Sequence, residues 1–349
     1  MRRIYFRCDA STSIGSGHVI RCITLANFLK KKGFDTIFIS KKLNGNLFSL
    51  ILKKKHKIIP LSKKSTTESE VKEIFKRLKN FNNKKDWMVV DHYSIGKKWE
   101  SKIITKIPKL FVIDDLCDKF HLGNVLLNQN YLPGIKKRYN KVLSSKTKTL
   151  LGPKYAILSS EYQKTRQNIN FKKNKKFTRV IIFFGGADNK NFTIKCLSIF
   201  LKYNLQNIKL DVVIGQSNKK NKIIKSMIKD IKYAKLHIQI PSLCGLMKSA
   251  DFYLGSGGTT TWERCCLGLP SIVIATAKNQ ISYNKKLDNK GVLKYLGSAE
   301  KVNEEQIISA ILKFISSKSN KMSENAKKIT DGKGINLISR EFIKGRQQL

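Results

Sequence analysis

The chain has 349 residues, 41% of them hydrophobic and 27% charged, a balance that excludes a disordered or collagen-like protein and leaves room for two ordinary domains. A formal charge of +45 rests on 69 basic against 24 acidic residues, yet only 11 of the 69 are arginine. Nucleic-acid readers favour the rigid fork of arginine, and these lysines lie scattered among Ile, Asn and Ser, so solvated faces are expected and no specific nucleic-acid partner.

No apolar run approaches the roughly 18 residues that would span a bilayer. The first residues, "MRRIYFRCDAS", meet Arg7 and Asp9 before an apolar stretch of signal-peptide length develops. Seven cysteines include no C-x-x-C pair, and the adjacent Cys265 and Cys266 are ill placed to bridge each other. A soluble, reduced, cytoplasmic protein without a membrane span is expected.

From the N terminus, the run "RIYFR" reads as a strand and "VIRCITLANFLKKKG" as a helix, with Leu25, Phe28 and Leu29 on one stripe, Ile20 nearby and Gly33 as C-cap. "DTIFIS", "WMVVDH" and "KLFVIDD" continue the strands, and strands alternating with helical patterns predict a parallel sheet covered by helices. Apolar periodicity then fails in "EYQKTRQNINFKKNKKF". A second series follows in "RVIIFFGG", "KLDVVIG", "HIQI", "ADFYLGSGG" and "PSIVIAT". The expected organisation is an N-terminal Rossmann-like domain over 1–160, a linker over 161–176, a C-terminal Rossmann-like domain over 177–335 and a tail over 336–349. The fold class is α/β, two parallel-sheet domains facing an interdomain cleft.

Ligands of open parallel sheets bind beyond the carboxyl ends of the strands, and the polar motifs lie there. "GSGH" follows the first strand, with Gly15 and Gly17 spaced as in a dinucleotide fingerprint. Ile20 stands where the third glycine belongs, and "DTIFIS" ends without the acidic residue that would take a ribose, so a nicotinamide cofactor is not expected. The glycines instead allow close approach of a ligand to the backbone. His18, at the positive end of the following helix, is disposed to stay neutral and so to accept a proton. Arg21, just beyond it, and Asp91, heading "DHYSIG", join the expected substrate-binding set.

"GSGGTTTWERC" joins a strand to a helix. Gly257, Gly258, Thr259, Thr260 and Thr261 supply backbone N–H groups suited to a diphosphate, and Glu263 is placed to accept from ribose hydroxyls. A merely well-capped helix is the alternative. Gly185 and Gly186 in "GGADNKN" make a similar turn, with Asp188 or Asn189 capping the next helix. Asp114, Asp115, Asp118 and His121 in "DDLCDKFH" admit either a hard-cation site or an acidic turn.

Taken in order, "FRCDASTSIGSGHVIRC", "VVDHYSIG", "VIDDLCDKFH", "LLNQN", "LLGPKYAILSSEY", "FFGGADNKN" and "GSGGTTTWERCCLGLPSIVIATAKNQ" cover roughly residues 4–300. The set resembles the UDP-sugar hydrolases of pseudaminic acid biosynthesis, which act on UDP-2,4-diacetamido-2,4,6-trideoxy-β-L-altropyranose. The resemblance implies a GT-B fold, similar to the peptidoglycan N-acetylglucosaminyltransferase, with the nucleotide held mainly by the second domain. It implies hydrolysis of a UDP-sugar with no metal and no cofactor. It places the catalytic histidine at His18, and the tyrosine and asparagine of the active site at Tyr93 and Asn279. Lys154 and Ser159 stand where the family more usually carries arginine, a departure from the pattern in a segment that could otherwise be expected to contact phosphate or sugar directly. A glycosyltransferase or a hydrolysing UDP-sugar 2-epimerase on the same fold, or a basic nucleic-acid-binding protein, are the competing readings. Nothing in the sequence fixes an oligomeric state.

Overall fold

A computed structural model describes residues 2–78, 81–169, 177–205, 207–316 and 320–343. The chain divides into two units, Met1–Ser159 with Lys333–Leu349, and Ser160–Gly332. In chain order the first unit runs β1 (Arg3–Cys8), α1 (Gly17–Lys31), β2 (Asp35–Lys41), α2 (Phe48–Lys53), β3 (Lys57–Leu61), α3 (Thr67–Arg77), β4 (Trp87–Asp91), α4 (Lys97–Ile103), β5 (Leu110–Ile113), β6 (Val125–Asn128), α5 (Ile135–Tyr139) and β7 (Lys148–Leu151), followed by a 3-10 turn at Pro153–Tyr155. The second runs α6 (Ser160–Gln167), β8 (Thr178–Phe183), α7 (Phe192–Lys202), β9 (Ile208–Ile214), α8 (Asn221–Lys229), β10 (Ala234–Ile238), α9 (Cys244–Ser249), β11 (Phe252–Ser256), α10 (Thr260–Leu267), β12 (Ser271–Ala275), α11 (Lys278–Asn289), β13 (Lys294–Ser298), α12 (Glu304–Ser316) and α13 (Asn320–Lys327). Helix α14 (Gly334–Ile343) then returns to the first unit.

Both sheets are parallel throughout, in the orders β3-β2-β1-β4-β5-β6-β7 and β10-β9-β8-β11-β12-β13. In the first unit, β1 is buried on both faces because its residues alternate. Ile4, Phe6 and Cys8 pack with Cys22, Leu25 and Leu29 of α1, whereas Tyr5 packs on the opposite side with Val71 and Ile74 of α3. In the second unit Phe192, Leu197 and Phe200 of α7 and Ile307 and Ile311 of α12 cover the strands β8, β9, β11 and β12.

Four expectations change. Residues 161–167, expected in the linker, belong to α6; 170–176 lie outside the described residues. Residues 336–343 of the expected tail, with Gly334 and Ile335 of the expected second domain, form α14, whose Ile335, Ile338 and Phe342 complete the core of the first unit, Phe342 stacking on Phe111 at 5.1 Å. "HIQI" is strand only as far as Ile238, because Gln239 turns to φ +51°. Ile20 is 40% exposed and leaves the stripe that buries Leu25 and Leu29. The short strands β3, β6, β7 and β13 are additional to those anticipated.

Candidate active site

In each sheet the first and fourth strands lie side by side while the chain winds outward from them in both directions, and a crevice for ligands forms at such a reversal. In the first unit the reversal falls between β1 and β4, from which His18 and Asp91 come. In the second it falls between β8 and β11, whose ends carry Gly185 and Gly186, and Gly257 and Gly258.

The polar residues at the ends of β1 and β4 form two buried ion networks, which strand alternation sends to opposite faces. On the α1 face, Asp91 is wholly buried and accepts from His18 Nδ1 at 2.6 Å, Arg21 Nε at 2.5 Å, Arg21 Nη2 at 2.6 Å and Cys22 Sγ at 3.6 Å. Burial alone would raise the Asp91 carboxyl, but Arg21 and His18 outweigh it and hold the group well below the usual carboxylate range. An ionised Asp91 only accepts, so the proton between the pair sits on Nδ1 and Nε2 of His18 is the basic atom. Nε2 has no hydrogen-bond partner among the described residues. The Tyr93 ring stands edge-on to the imidazole, centroids 4.4 Å apart.

On the α3 face, Arg7 pairs with Asp9 at 2.8 Å and with Glu70 at 2.9 Å, while Lys41 and Trp99 also bond Glu70. Asp9 reaches His92 at 3.2 Å and accepts the Lys41 backbone N–H. Burial works against its ionisation, yet His92 and Arg7 lower the Asp9 carboxyl to about 2. Neighbouring residues Asp91 and His92 thus tie the end of β4 to both faces of the sheet.

Glycine has a distinct role at each turn. Gly15 adopts φ +83°, and Gly17 begins α1 with open space where a Cβ would project. Gly257 is required by packing, since a Cβ there would come within 2.0 Å of Asn284 Nδ2, which donates to the Gly257 carbonyl at 3.1 Å. Gly185 turns at φ +93° into open space, and Gly186 accepts from Gly215 N–H at 2.9 Å. Asp188 caps α7 by accepting from Phe192 and Thr193 N–H groups.

The first turn of α10 is not a capped turn. Thr259 occupies the N-cap position without a side-chain cap, and Thr259 and Thr260 N–H groups have no backbone acceptor among the described residues. Thr261 is buried and accepts from Arg264, so its hydroxyl faces inward. Burial pushes the Glu263 carboxyl up to about 7, and its Oε2 has no hydrogen-bond partner among the described residues. Asn279 lies half-buried in the first turn of α11, beside Gln280, which accepts from Thr276 N–H.

The structure therefore gathers His18, Arg21, Asp91 and Tyr93 in the first unit, and Gly257 to Thr261 with Glu263 at one helix start in the second. Arg21 and Asp91, both expected in the substrate-binding set, are hydrogen-bonded to each other. Asp115 and Asn130 join that network unanticipated: Asp115 pairs with Arg21 Nη2 at 2.8 Å and accepts from Asn130 Nδ2 at 3.0 Å. Of the "DDLCDKFH" stretch, Asp114 accepts the Leu116 and Cys117 N–H groups and the Tyr139 hydroxyl, and His121 bonds Glu100 at 2.6 Å. Among the described residues no three His, Cys, Asp or Glu side chains are grouped to hold a metal ion, and no helix is long and apolar enough to cross a membrane.

Comparison with known proteins gives a consistent picture. Residues 179–338 match the glycosyltransferase family 28 C-terminal domain. The chain is 29% identical over 276 residues to the uncharacterized protein MJ1062 of Methanocaldococcus jannaschii, covering 76% of this chain and 54% of that protein, so it spans about half that relative's length. It is 24% identical to the spore coat polysaccharide biosynthesis protein SpsG of Bacillus subtilis, over 94% of both chains. It is 26% identical to the UDP-2,4-diacetamido-2,4,6-trideoxy-β-L-altropyranose hydrolase of Campylobacter jejuni, over 83% of this chain and 97% of that one. Among solved structures, MurG of Acinetobacter baumannii superposes with a TM-score of 0.66 at 12% identity over 99% of this chain and 100% of that one. MnaA of S. aureus, in a co-structure with UDP, gives 0.63 at 12% identity over 99% and 97%. The fold is that of the GT-B enzymes, two parallel-sheet α/β domains.

Proposed function

We propose that the protein is a cytoplasmic, metal- and cofactor-independent enzyme that hydrolyses UDP-2,4-diacetamido-2,4,6-trideoxy-β-L-altropyranose to UDP and the free sugar, in pseudaminic acid biosynthesis. The observation that carries the proposal is the His18–Asp91 pair, which leaves a basic Nε2 at the strand reversal of the first unit. The name of the Campylobacter relative supports the substrate, and seven unbridged cysteines support a reducing compartment.

In the proposed reaction a water oxygen attacks C1 of the sugar as the C1–O bond breaks. The bonding pair leaves with the UDP β-phosphate oxygen, and the water proton passes to Nε2 of His18. One displacement inverts the anomeric centre. A positioned imidazole base contributes roughly two to four decades in rate, and Asp91 stabilises the imidazolium that forms. The N-terminus of α10, with Gly257, Gly258, Thr259 and Thr260, receives the diphosphate as charge grows on it. Gly185 and Gly186 border the same strand reversal, and Glu263 takes the ribose hydroxyls. Tyr93 and Asn279 orient the water or the acetamido groups.

Incubation of the purified protein with this UDP-sugar in oxygen-18 water tests the reading. Label in the sugar and none in UDP is expected, whereas label in the phosphate would refute C1–O cleavage. The family 28 match favours a second reading, transfer of the sugar to an acceptor hydroxyl activated by His18. UDP release that needs an added acceptor would establish it, and a product changed at C2 would identify an epimerase.

A further inference from the structure

In the first unit a second carboxylate, outside the His18–Asp91 pair, is tied to it through Arg21. Asp115 follows β5, one strand beyond Asp91, and takes both terminal nitrogens of Arg21, Nη1 at 3.1 Å and Nη2 at 2.8 Å. Asn130 Nδ2, from beyond β6, braces the same carboxylate at 3.0 Å. Arg21 thereby bridges two acids, using Nε and Nη2 on Asp91 and Nη1 and Nη2 on Asp115. A planar guanidinium held at both ends cannot rotate, so its grip fixes the plane of Asp91 and hence the orientation of the imidazole.

The charges of this cluster matter as much as its geometry. With Arg21 cationic and both carboxylates ionised, one formal negative charge is left over while His18 is neutral. A proton arriving at Nε2 brings the buried cluster to neutrality. Without the charge of Asp115, Arg21 and Asp91 would cancel, and an imidazolium would place an uncompensated cation in a buried site. The same carboxylate lies 3.5 Å from the Tyr93 hydroxyl, whose ring packs on His18.

We infer that Asp115 is a positioning residue that, acting through Arg21 and Asp91, holds His18 with its proton on Nδ1 and keeps one negative charge in reserve for the proton His18 receives. The inference rests on the reading of His18 as the general base, and its test separates the two. Asp115→Asn preserves the shape and one acceptor oxygen but removes the charge. In the wild-type protein, nitrogen-15 NMR of the His18 side chain should show the Nδ1–H tautomer, and in Asp115→Asn, where Arg21 no longer aims the still-ionised Asp91 at Nδ1, a mixture of tautomers. Turnover of the UDP-sugar should fall about a hundredfold with little change in KM and none in UDP affinity by calorimetry. Wild-type turnover together with an unaltered tautomer would overturn the inference. Should the wild-type protein release no UDP at all, the functional reading fails and the tautomer alone decides the positioning role. If Asp115→Asn does not fold, Arg21→Lys keeps the positive charge without bridging both acids, and the same two readouts apply to it with the same expected and overturning results.

Discussion

Nδ1 of His18 and Oδ1 of Asp91 lie 2.6 Å apart although 73 residues separate them in the chain. One stands in the first turn of α1, which follows β1, and the other ends β4, so the contact exists only because those strands are neighbours in a parallel sheet, with Cys8 registered against Asp91. If this pair is the reaction's base and its orienting acid, His18→Asn should lower turnover by about two to four decades while UDP still binds. Asp91→Asn should cost a similar factor, because it favours the wrong tautomer. UDP release assayed beside calorimetric UDP affinity checks both, and a folded His18→Asn protein with normal turnover would remove the assignment.

Glu263 gives a pH dependence of defined sign. Burial raises its carboxyl from 4.5 to about 7, so the folded state holds the proton more tightly than the unfolded chain. Its contribution to stability is complete below pH 4.5 and is lost as pH rises through about 7, by up to about 3 kcal/mol. A ribose accepted by the carboxylate reverses that preference, so UDP affinity should rise about tenfold between pH 6 and 8. Glu263→Gln should abolish both trends, in denaturant titrations and in calorimetry.

Two glycines separate packing from ligand approach. Gly257→Ala drives a Cβ to within 2.0 Å of Asn284 Nδ2 and should destabilise the second unit by about 1–3 kcal/mol. Gly17→Ala meets no atom within 4 Å at the start of a helix, and should leave stability unchanged or raise it by up to about 1 kcal/mol. A raised KM in that stable Gly17→Ala variant would show that the open space serves the substrate; an unchanged KM would show that it does not. Thermal unfolding and initial-rate kinetics make the comparison.

Helix α14 should be indispensable to the first unit. Phe342 is 1% exposed, stacks on Phe111 and meets Trp87 edge-on at 5.1 Å. Phe342→Ala should cost about 3–5 kcal/mol, read as a lowered urea midpoint. A midpoint equal to that of the wild type would mean that α14 merely rests on the surface.

Much of the architecture was legible locally. The two α/β series, the strands around "RIYFR" and "RVIIFF", and the glycine turns at 15–18 and 257–258 each depend on residues close in sequence, through strand alternation and backbone freedom. Short strands such as Val125–Asn128 were not legible, because four apolar residues carry no period that distinguishes them. The reach of α14 was hidden for a different reason: Ile335, Ile338 and Phe342 are spaced as on any amphipathic helix, and their spacing does not say which core they complete.

By itself, then, the sequence determined which residues stand at strand ends with the chemistry to accept a proton or cradle an anion. Tertiary structure decided what those residues do to one another. It placed Asp91 beneath His18, bridged Asp91 and Asp115 with Arg21, and sent Arg7, Glu70 and His92 to the opposite face. The physical reason is that alternation along a strand, which chooses a side chain's face, is local, whereas ion pairs between residues 63 to 94 positions apart are set by strand order, which no local stretch of the chain encodes.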